Sequence, residues 1–149
     1  MTGHVRSLTV HRVPHVLIID DEPDGCAAVA EYLTKAGHVV RCVPNGSEAL
    51  CALGERIPDA ILLDVLMPGM DGMALLRIIR SYLQWANVPI AMLTAYPEDP
   101  RLWRLAEHGV GRVFAKSKVN LDELLAWVNA QPARAAPPGA DPLSRHTDA

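Results

Sequence analysis

The segment AILLDVLMPGMDG, residues 60–72, combines a short apolar run, an acidic end and a loop that contains proline and glycine. An almost wholly apolar run before Asp64 is typical of a strand that is buried on both faces of a parallel sheet. Asp71 is placed to cap a following helix, with Leu75 and Ile79 on its inward face. The segment therefore predicts a strand–loop–helix unit with Asp64 at the carboxyl end of its strand.

The same unit repeats on both sides of this segment. The other predicted strands are His15–Asp20, Val39–Val43, Val88–Leu93 and Arg112–Ala115, and the other helices begin near Pro23, Asn45, Asp99 and Asn120. Strict alternation of strands and helices indicates a parallel sheet covered by helices, with right-handed connections. We therefore predict an α/β fold, a doubly wound five-stranded parallel sheet with five helices.

The two ends of the chain differ in composition from the part between them. Residues 1–13 are mixed and contain no long apolar run, so we expect a flexible leader. The tail 132–149 is rich in proline, alanine and glycine and has one large apolar residue, Leu143, which is typical of disorder. We predict one folded domain over residues 14–131.

Composition excludes several classes of protein. The net charge of −3 gives no general attraction to nucleic acid, and no apolar run is long enough to span a membrane. The three cysteines, Cys26, Cys42 and Cys51, have neither zinc-binding nor CxxC spacing. We expect them to be small apolar residues of a protein in the reducing cytoplasm.

Polar side chains stand where four of the predicted strands end. They are Asp20, Asp21 and Glu22 after the first strand, Asp64 at the end of the third, Thr94 after the fourth and Lys116 after the fifth. Any one of them could simply mark the exit of a strand into solvent. Because the carboxyl ends of parallel strands meet at one edge of the sheet, we expect all of them to form one site.

Clustered carboxylates repel one another unless positive charge lies among them. Lys116 supplies one such charge, and Mg²⁺, which prefers carboxylates, waters and phosphate oxygens, would supply more. This combination suits phosphoryl transfer, in which a carboxylate can itself be the nucleophile and form an acyl phosphate. A serine or cysteine nucleophile with a histidine base is not supported, because His15 lies at the opposite end of its strand.

Four short motifs resemble the response regulator receiver family of two-component signalling. They are LIIDDEP at 17–23, LLDVLMPGMDG at 62–72, MLTA at 92–95 and FAK at 114–116. The resemblance covers about residues 14–131 and implies the flavodoxin-like (βα)5 receiver fold. It also implies that Asp64 accepts a phosphoryl group from a histidine kinase, a phosphotransfer protein or a small phosphodonor.

The resemblance assigns roles to the other site residues as well. Asp21, Asp64 and the backbone carbonyl of Leu66 would hold Mg²⁺, and Asp20 would act directly or through water. Thr94 would hydrogen-bond the phosphoryl group, and Lys116 would pair first with Asp64 and then with the phosphoryl group.

The resemblance also implies how the protein acts. It would be a signalling protein rather than an enzyme. Its fourth helix, fifth strand and fifth helix would report the change to a downstream protein or a second copy. Because no output domain follows, we expect a stand-alone receiver that signals by binding proteins.

Two positions depart from the family pattern. Val113 stands where many members have the tyrosine or phenylalanine that swings inward, and Phe114 beside it should point to the opposite face. Ser117 replaces the proline that usually follows the lysine, and Lys118 could compete for the role of Lys116. The route by which a change at Asp64 reaches the surface is therefore expected to differ from that of other family members.

Leu66 and Tyr96, two residues beyond Asp64 and Thr94, are bulky and are expected to shield an acyl phosphate from water.

Three other functions share part of this pattern. A haloacid-dehalogenase-like phosphatase needs a second aspartate at position 66, where this chain has leucine. A flavodoxin-like nucleotide binder needs a phosphate-binding turn after the first strand, where this chain has Asp-Glu-Pro-Asp. A pseudo-receiver, which uses the fold only for docking, is the more serious alternative, because Val113 and Ser117 leave room for it.

Overall fold

A five-stranded parallel sheet lies at the centre of the computed structural model, which describes residues 14–67 and 69–132. Its strands are β1 His15–Ile19, β2 Val39–Val43, β3 Ala60–Asp64, β4 Ile90–Thr94 and β5 Val110–Ala115. They are hydrogen-bonded in the order β2-β1-β3-β4-β5. The predicted leader 1–13 and residues 133–149 of the predicted tail lie outside the described residues.

Within residues 14–132, as far as the structure describes them, four α-helices connect and cover the strands. They are α1 Pro23–Lys35, α2 Gly46–Glu55, α3 Gly72–Ser81 and α4 Leu121–Ala130. The predicted fourth helix is present as a 3-10 helix, Pro100–His108, called the 3-10 segment below. None of the helices in the described part of the chain combines the length and the apolar character that a membrane span requires.

Helices cover both faces of the sheet, as predicted. On one face, Leu53 of α2, Leu76 of α3 and Leu105 of the 3-10 segment belong to one apolar cluster. On the other face, Leu33 of α1 and Leu124 of α4 belong to a second cluster. The central strands β3 and β4 are buried along their whole length. The doubly wound α/β architecture is therefore confirmed.

Side-chain caps fix where three helices begin. Asn45 accepts a hydrogen bond from the backbone N–H of Glu48 at 2.9 Å, and Asp71 accepts one from Ala74 at 2.8 Å. Asn120 caps α4 in the same way. These are the capping positions that the sequence predicted, because such residues satisfy N–H groups that a helix leaves unpaired.

The cysteines differ from the sequence-based expectation. Cys26 of α1 and Cys42 of β2 form a disulfide, with a Cα–Cα distance of 6.4 Å, while Cys51 is free and exposed. The interpretation of all three as reduced apolar residues is therefore wrong for this pair. Sequence spacing gave no sign of it, because the contact depends on how α1 packs against β2.

Candidate functional site

The predicted site residues meet at one edge of the sheet. Asp20 follows β1, Asp64 ends β3 and Thr94 ends β4, so they lie on three strands that are adjacent in the sheet. All three are buried, with 5%, 3% and 1% of their surface exposed. Lys116 follows β5 directly and begins a short 3-10 turn, Lys116–Lys118. The parallel register therefore brings together the residues that the sequence selected.

Lys116 connects three carboxylates. Its Nζ lies 3.0 Å from Asp20 Oδ1, 3.1 Å from Asp64 Oδ2 and 3.1 Å from Glu22 Oε1. Lys118, the competing lysine, is exposed. The structure thus places Lys116, and not Lys118, against Asp64.

The loop after β3 holds the second carboxylate oxygen of Asp64. The backbone N–H of Leu66 donates to Asp64 Oδ1 at 3.2 Å. Gly72, at the start of α3, donates its N–H to the carbonyl of Val65 at 2.8 Å. A Cβ on Gly72 would lie 2.1 Å from the carbonyl oxygen of Asp64. Only glycine therefore allows α3 to begin so close to the backbone of Asp64.

Thr94 is held by the chain that follows it. Its Oγ1 accepts a hydrogen bond from the backbone N–H of Tyr96 at 2.9 Å. This bond uses Thr94 as an acceptor and leaves its hydroxyl proton available for donation. Tyr96 itself is largely exposed and Leu66 is partly exposed, so both flank the site at its rim.

The site contains more negative than positive charge. Burial is the largest cause that raises the pKa of Asp64, and the charge of Asp20 adds to it. Hydrogen bonding and charge from Lys116 lower it, and the net pKa is about 7. Burial disfavours the ammonium of Lys116, but hydrogen bonds to its carboxylate partners outweigh this and raise the pKa of Lys116. One ammonium therefore remains charged among carboxyl groups that it does not fully neutralise.

This excess of negative charge fits a divalent cation. Oxygen atoms of Asp20, Asp21, Glu22 and Asp64 lie within 4.8 Å of one another. These are hard oxygen donors of the kind that Mg²⁺ takes, together with waters. The donor chemistry and the raised pKa of Asp64 both agree with a cation at this position. The assignment of the Leu66 carbonyl as a ligand stays a prediction.

Glu22 is the residue that sequence reasoning left without a role. It was expected at the site with Asp20 and Asp21, but neither a metal contact nor a contact with Lys116 was predicted for its side chain. The structure directs it to Lys116 and includes it in the carboxylate cluster. The available signal was its position next to Asp21; the missing information was the direction of its side chain.

Val113 and Phe114 of β5 point to opposite faces of the sheet, as the alternation of side chains along a strand predicts. Val113 packs with the apolar cluster on the α2–α3 face of the sheet, whereas Phe114 belongs to the cluster on the α1–α4 face. Trp103, another aromatic in this part of the chain, is 83% exposed. No aromatic side chain therefore takes the place of Val113 among the described residues of β5.

Comparisons with known proteins agree with this geometry. The model of the response regulator receiver domain matches residues 16–129. The transcriptional regulatory protein TcrA of Mycobacterium tuberculosis is 35% identical over 115 residues, which are 77% of this chain and 44% of TcrA. The chain thus spans less than half of that relative.

Solved structures are similar over most of the chain. Chemotaxis protein CheY4 of Vibrio cholerae aligns with a TM-score of 0.74 and 27% identity, covering 81% of this chain and 100% of CheY4. The BeF3-activated receiver domain of Klebsiella pneumoniae RstA aligns with a TM-score of 0.70 and 31% identity, covering 78% and 97%. This chain belongs to the response regulator receiver domain family of two-component systems. Receiver domains are signalling modules that interact with histidine kinases or phosphotransfer proteins.

Proposed function

We propose that this chain accepts a phosphoryl group on Asp64 from a histidine kinase or phosphotransfer protein, in a reaction that depends on Mg²⁺. The observation that supports this most is the contact of Lys116 Nζ with Asp64 Oδ2 at 3.1 Å, at the sheet edge where Asp20 and Thr94 are also buried. A carboxylate nucleophile and a cation are thus in direct contact, and a hydroxyl group stands at the end of the adjacent strand.

The reaction forms one bond to phosphorus and breaks another. A carboxylate oxygen of Asp64 attacks the phosphorus atom of the donor. The bond from phosphorus to the leaving group breaks, and its electron pair stays on the imidazole nitrogen of phosphohistidine or on the acetate of acetyl phosphate. The product is an acyl phosphate on Asp64.

Mg²⁺, held by Asp20, Asp21 and Asp64 with the carbonyl of Leu66, would neutralise phosphoryl oxygens and favour the ionised form of Asp64. Lys116 is placed to exchange its bond with Asp64 for one with a phosphoryl oxygen. The hydroxyl proton of Thr94 can then be donated to another phosphoryl oxygen. The N–H of Leu66 orients the carboxylate before attack.

The chain is proposed to signal through the 3-10 segment, β5 and α4. Trp103 is exposed on the 3-10 segment, and Arg112 of β5 is paired with Glu123 of α4 at 3.3 Å. This surface is proposed to bind a downstream protein or a second copy of the chain. The stand-alone arrangement stays a prediction.

Acetyl phosphate with Mg²⁺ tests the proposal directly, with the adduct measured by intact mass. The wild-type chain should gain one phosphoryl group, and Asp64→Asn should gain none. Asp24→Asn, which removes an exposed carboxylate on α1, is the matched control and should react like wild type. Lys116→Met should form much less phosphorylated protein than wild type. Lys118→Met should form about as much as wild type. Absence of an Asp64-dependent adduct, also with a cognate kinase, favours the pseudo-receiver that only docks.

A further inference from the structure

The disulfide lies beside the acidic end of the site. Cys26 of α1 is buried, whereas Cys42 belongs to β2, an edge strand, and is exposed. The two residues are 16 positions apart in the sequence. The bond therefore ties the beginning of α1 to the sheet at a place that solvent can reach.

Two backbone hydrogen bonds connect the surroundings of the disulfide to the acidic segment Asp20–Glu22, one through Cys26 itself and one through the neighbour of Cys42. The N–H of Cys26 donates to the carbonyl of Glu22 at 3.1 Å. The N–H of Asp20 donates at 3.0 Å to the carbonyl of Val43, the residue after Cys42. A shift of α1 relative to β2 would therefore move Asp20 and Glu22 relative to each other.

No side-chain cap replaces the disulfide at this helix start. Glu22 occupies the N-cap position of α1, but its side chain makes no capping bond and contacts Lys116 instead. The first turn of α1 thus lacks the fixation that Asn45, Asp71 and Asn120 give to other helices. The backbone N–H of Glu22 donates to Asp20 Oδ1 at 2.9 Å, and the disulfide at Cys26 adds a covalent constraint on the turn.

A cleft joins the disulfide to the site. It has a volume of about 250 Å³, and its lining includes Asp20, Pro23, Cys26 and Cys42. The cleft gives a small thiol or disulfide access to the bond. It also leaves room for the first turn of α1 to move once the bond is broken.

We propose that Cys26 and Cys42 form a reversible redox site whose disulfide fixes the acidic segment Asp20–Glu22 and thereby raises the affinity for Mg²⁺. The inference rests on the proposed function of that segment as part of the metal site. Oxidation would prepare the receiver for phosphorylation, and reduction would weaken its metal binding.

The redox step balances with a small-molecule disulfide such as glutathione disulfide. The thiolate of Cys42, the exposed partner, attacks one sulfur of the oxidant and releases one thiol. The thiolate of Cys26 then displaces the second thiol from the mixed disulfide. Two cysteine thiols lose two protons and two electrons, and one molecule of oxidant becomes two thiols.

The full chain, oxidised with glutathione disulfide or reduced with dithiothreitol, provides the test. Thiol titration should find only Cys51 free in the oxidised protein. Mn²⁺ binding, measured by electron paramagnetic resonance as a substitute for Mg²⁺, should weaken about fivefold or more on reduction. Cys42→Ser should bind Mn²⁺ as weakly as the reduced protein under both conditions. Cys51→Ser, the matched control, should respond to the two conditions like wild type.

Three free thiols after oxidation, or equal Mn²⁺ affinity in the two states, would overturn the inference. A phosphorylation assay on the same samples separates this result from a failure of the proposed function. If Asp64 is phosphorylated but Mn²⁺ affinity does not depend on redox state, only the redox inference fails. If Mn²⁺ affinity depends on redox state but Asp64 accepts no phosphoryl group, only the proposed phosphorylation fails.

Discussion

Asp64 is a buried carboxyl group that shares one ammonium with other carboxylates. Its Oδ2 contacts Lys116, and Lys116 is also bound to Asp20 and Glu22. Burial favours the protonated form of Asp64, whereas nucleophilic attack needs the ionised form. A bound cation would resolve this conflict, because it stabilises the ionised carboxylate.

The raised pKa of Asp64 predicts how stability depends on pH without metal. Burial raises this pKa from 3.8 to about 7, so between these values the folded protein binds more protons than the unfolded chain. The contribution of Asp64 to stability therefore falls as the pH rises from about 4 to 7, and its full cost is present above pH 7. Asp64→Asn, which cannot ionise, should gain stability relative to wild type over this range, reaching about 4 kcal/mol near pH 7. Urea unfolding in EDTA at several pH values measures the free energy of unfolding of both proteins. A difference between them that does not change with pH would refute the prediction.

Leu66 and Tyr96 flank the site and are predicted to slow hydrolysis of the acyl phosphate. They are 40% and 61% exposed, so their side chains can cover the rim without filling the pocket. Leu66→Asn should admit water and shorten the phosphorylated lifetime several-fold, and Tyr96→Ala should act in the same direction. Loss of the phosphorylated species with time, followed by gel shift, measures the lifetime. The control is Leu83→Asn, a change at an exposed leucine outside the site, and it should leave the lifetime unchanged. If both rim variants have the lifetime of wild type, Leu66 and Tyr96 do not shield the acyl phosphate.

The sequence could predict the residues of the site better than their contacts. Asp64, Thr94 and Lys116 were predictable because each stands where an apolar strand ends, and parallel strands end at one edge. The contact of Glu22 with Lys116 was not predictable, because it depends on the direction of a side chain at a helix start. The Cys26–Cys42 pair depends on packing between elements, which local spacing does not encode.

At the scale of elements, Arg80 joins α3 to the chain on either side of β4. Its guanidinium donates to the carbonyls of His108 at 2.6 Å, Ala86 at 3.0 Å and Trp85 at 3.2 Å. A further bond at 3.3 Å reaches the carbonyl of Gly109, where φ of 70° ends the 3-10 segment. The carbonyl of Trp85 also accepts a hydrogen bond from the backbone N–H of Val88 at 3.2 Å. The guanidinium therefore matters most for the carbonyls of Ala86 and His108, which stand at the ends of 3-10 helices.

Removal of Arg80 should therefore destabilise the fold. Arg80→Ala removes the guanidinium donor from the partly buried carbonyls of His108 and Ala86, and we expect a loss of about 3 kcal/mol in the free energy of unfolding. Arg77→Ala, at an exposed position of the same helix, is the matched control and should change the free energy of unfolding by less than about 0.5 kcal/mol. Urea denaturation of both variants measures the difference. Equal stability of the two variants would show that water replaces the guanidinium at no cost.

The 3-10 segment shows where element prediction reaches its limit. Asp99, Pro100 and Gly109 correctly marked its beginning and end, because capping, a fixed φ and a left-handed φ act locally. Its hydrogen-bond type was not predictable from apolar spacing. Arg101 also connects this segment to the loop after β3, through a contact with Asp71 Oδ2 at 3.3 Å. This contact offers a path between Asp64 and the proposed signalling surface that does not need an aromatic residue at Val113.

At the scale of the whole molecule, the fold follows from the sequence because the local and global signals agree. Apolar strands, capped helices and short loops all favour the same doubly wound sheet. The central strand β3 is buried throughout, yet it ends in a carboxylate that faces excess negative charge. The scaffold thus bears a local electrostatic cost at the position where we propose that metal and phosphate bind.

Mg²⁺ should relieve this cost and stabilise the whole domain. A ligand that binds only the folded state adds about 2.7 kcal/mol to the free energy of unfolding at a hundredfold excess over its Kd. The melting temperature in saturating MgCl₂ should therefore exceed that in EDTA by several degrees. Asp21→Asn removes one oxygen donor of the cluster and should abolish most of this increase, whereas Asp24→Asn should retain it. Thermal melts of the three proteins at constant ionic strength measure this increase in melting temperature. An increase that is equal in all three proteins would arise from general salt effects rather than from binding at this site.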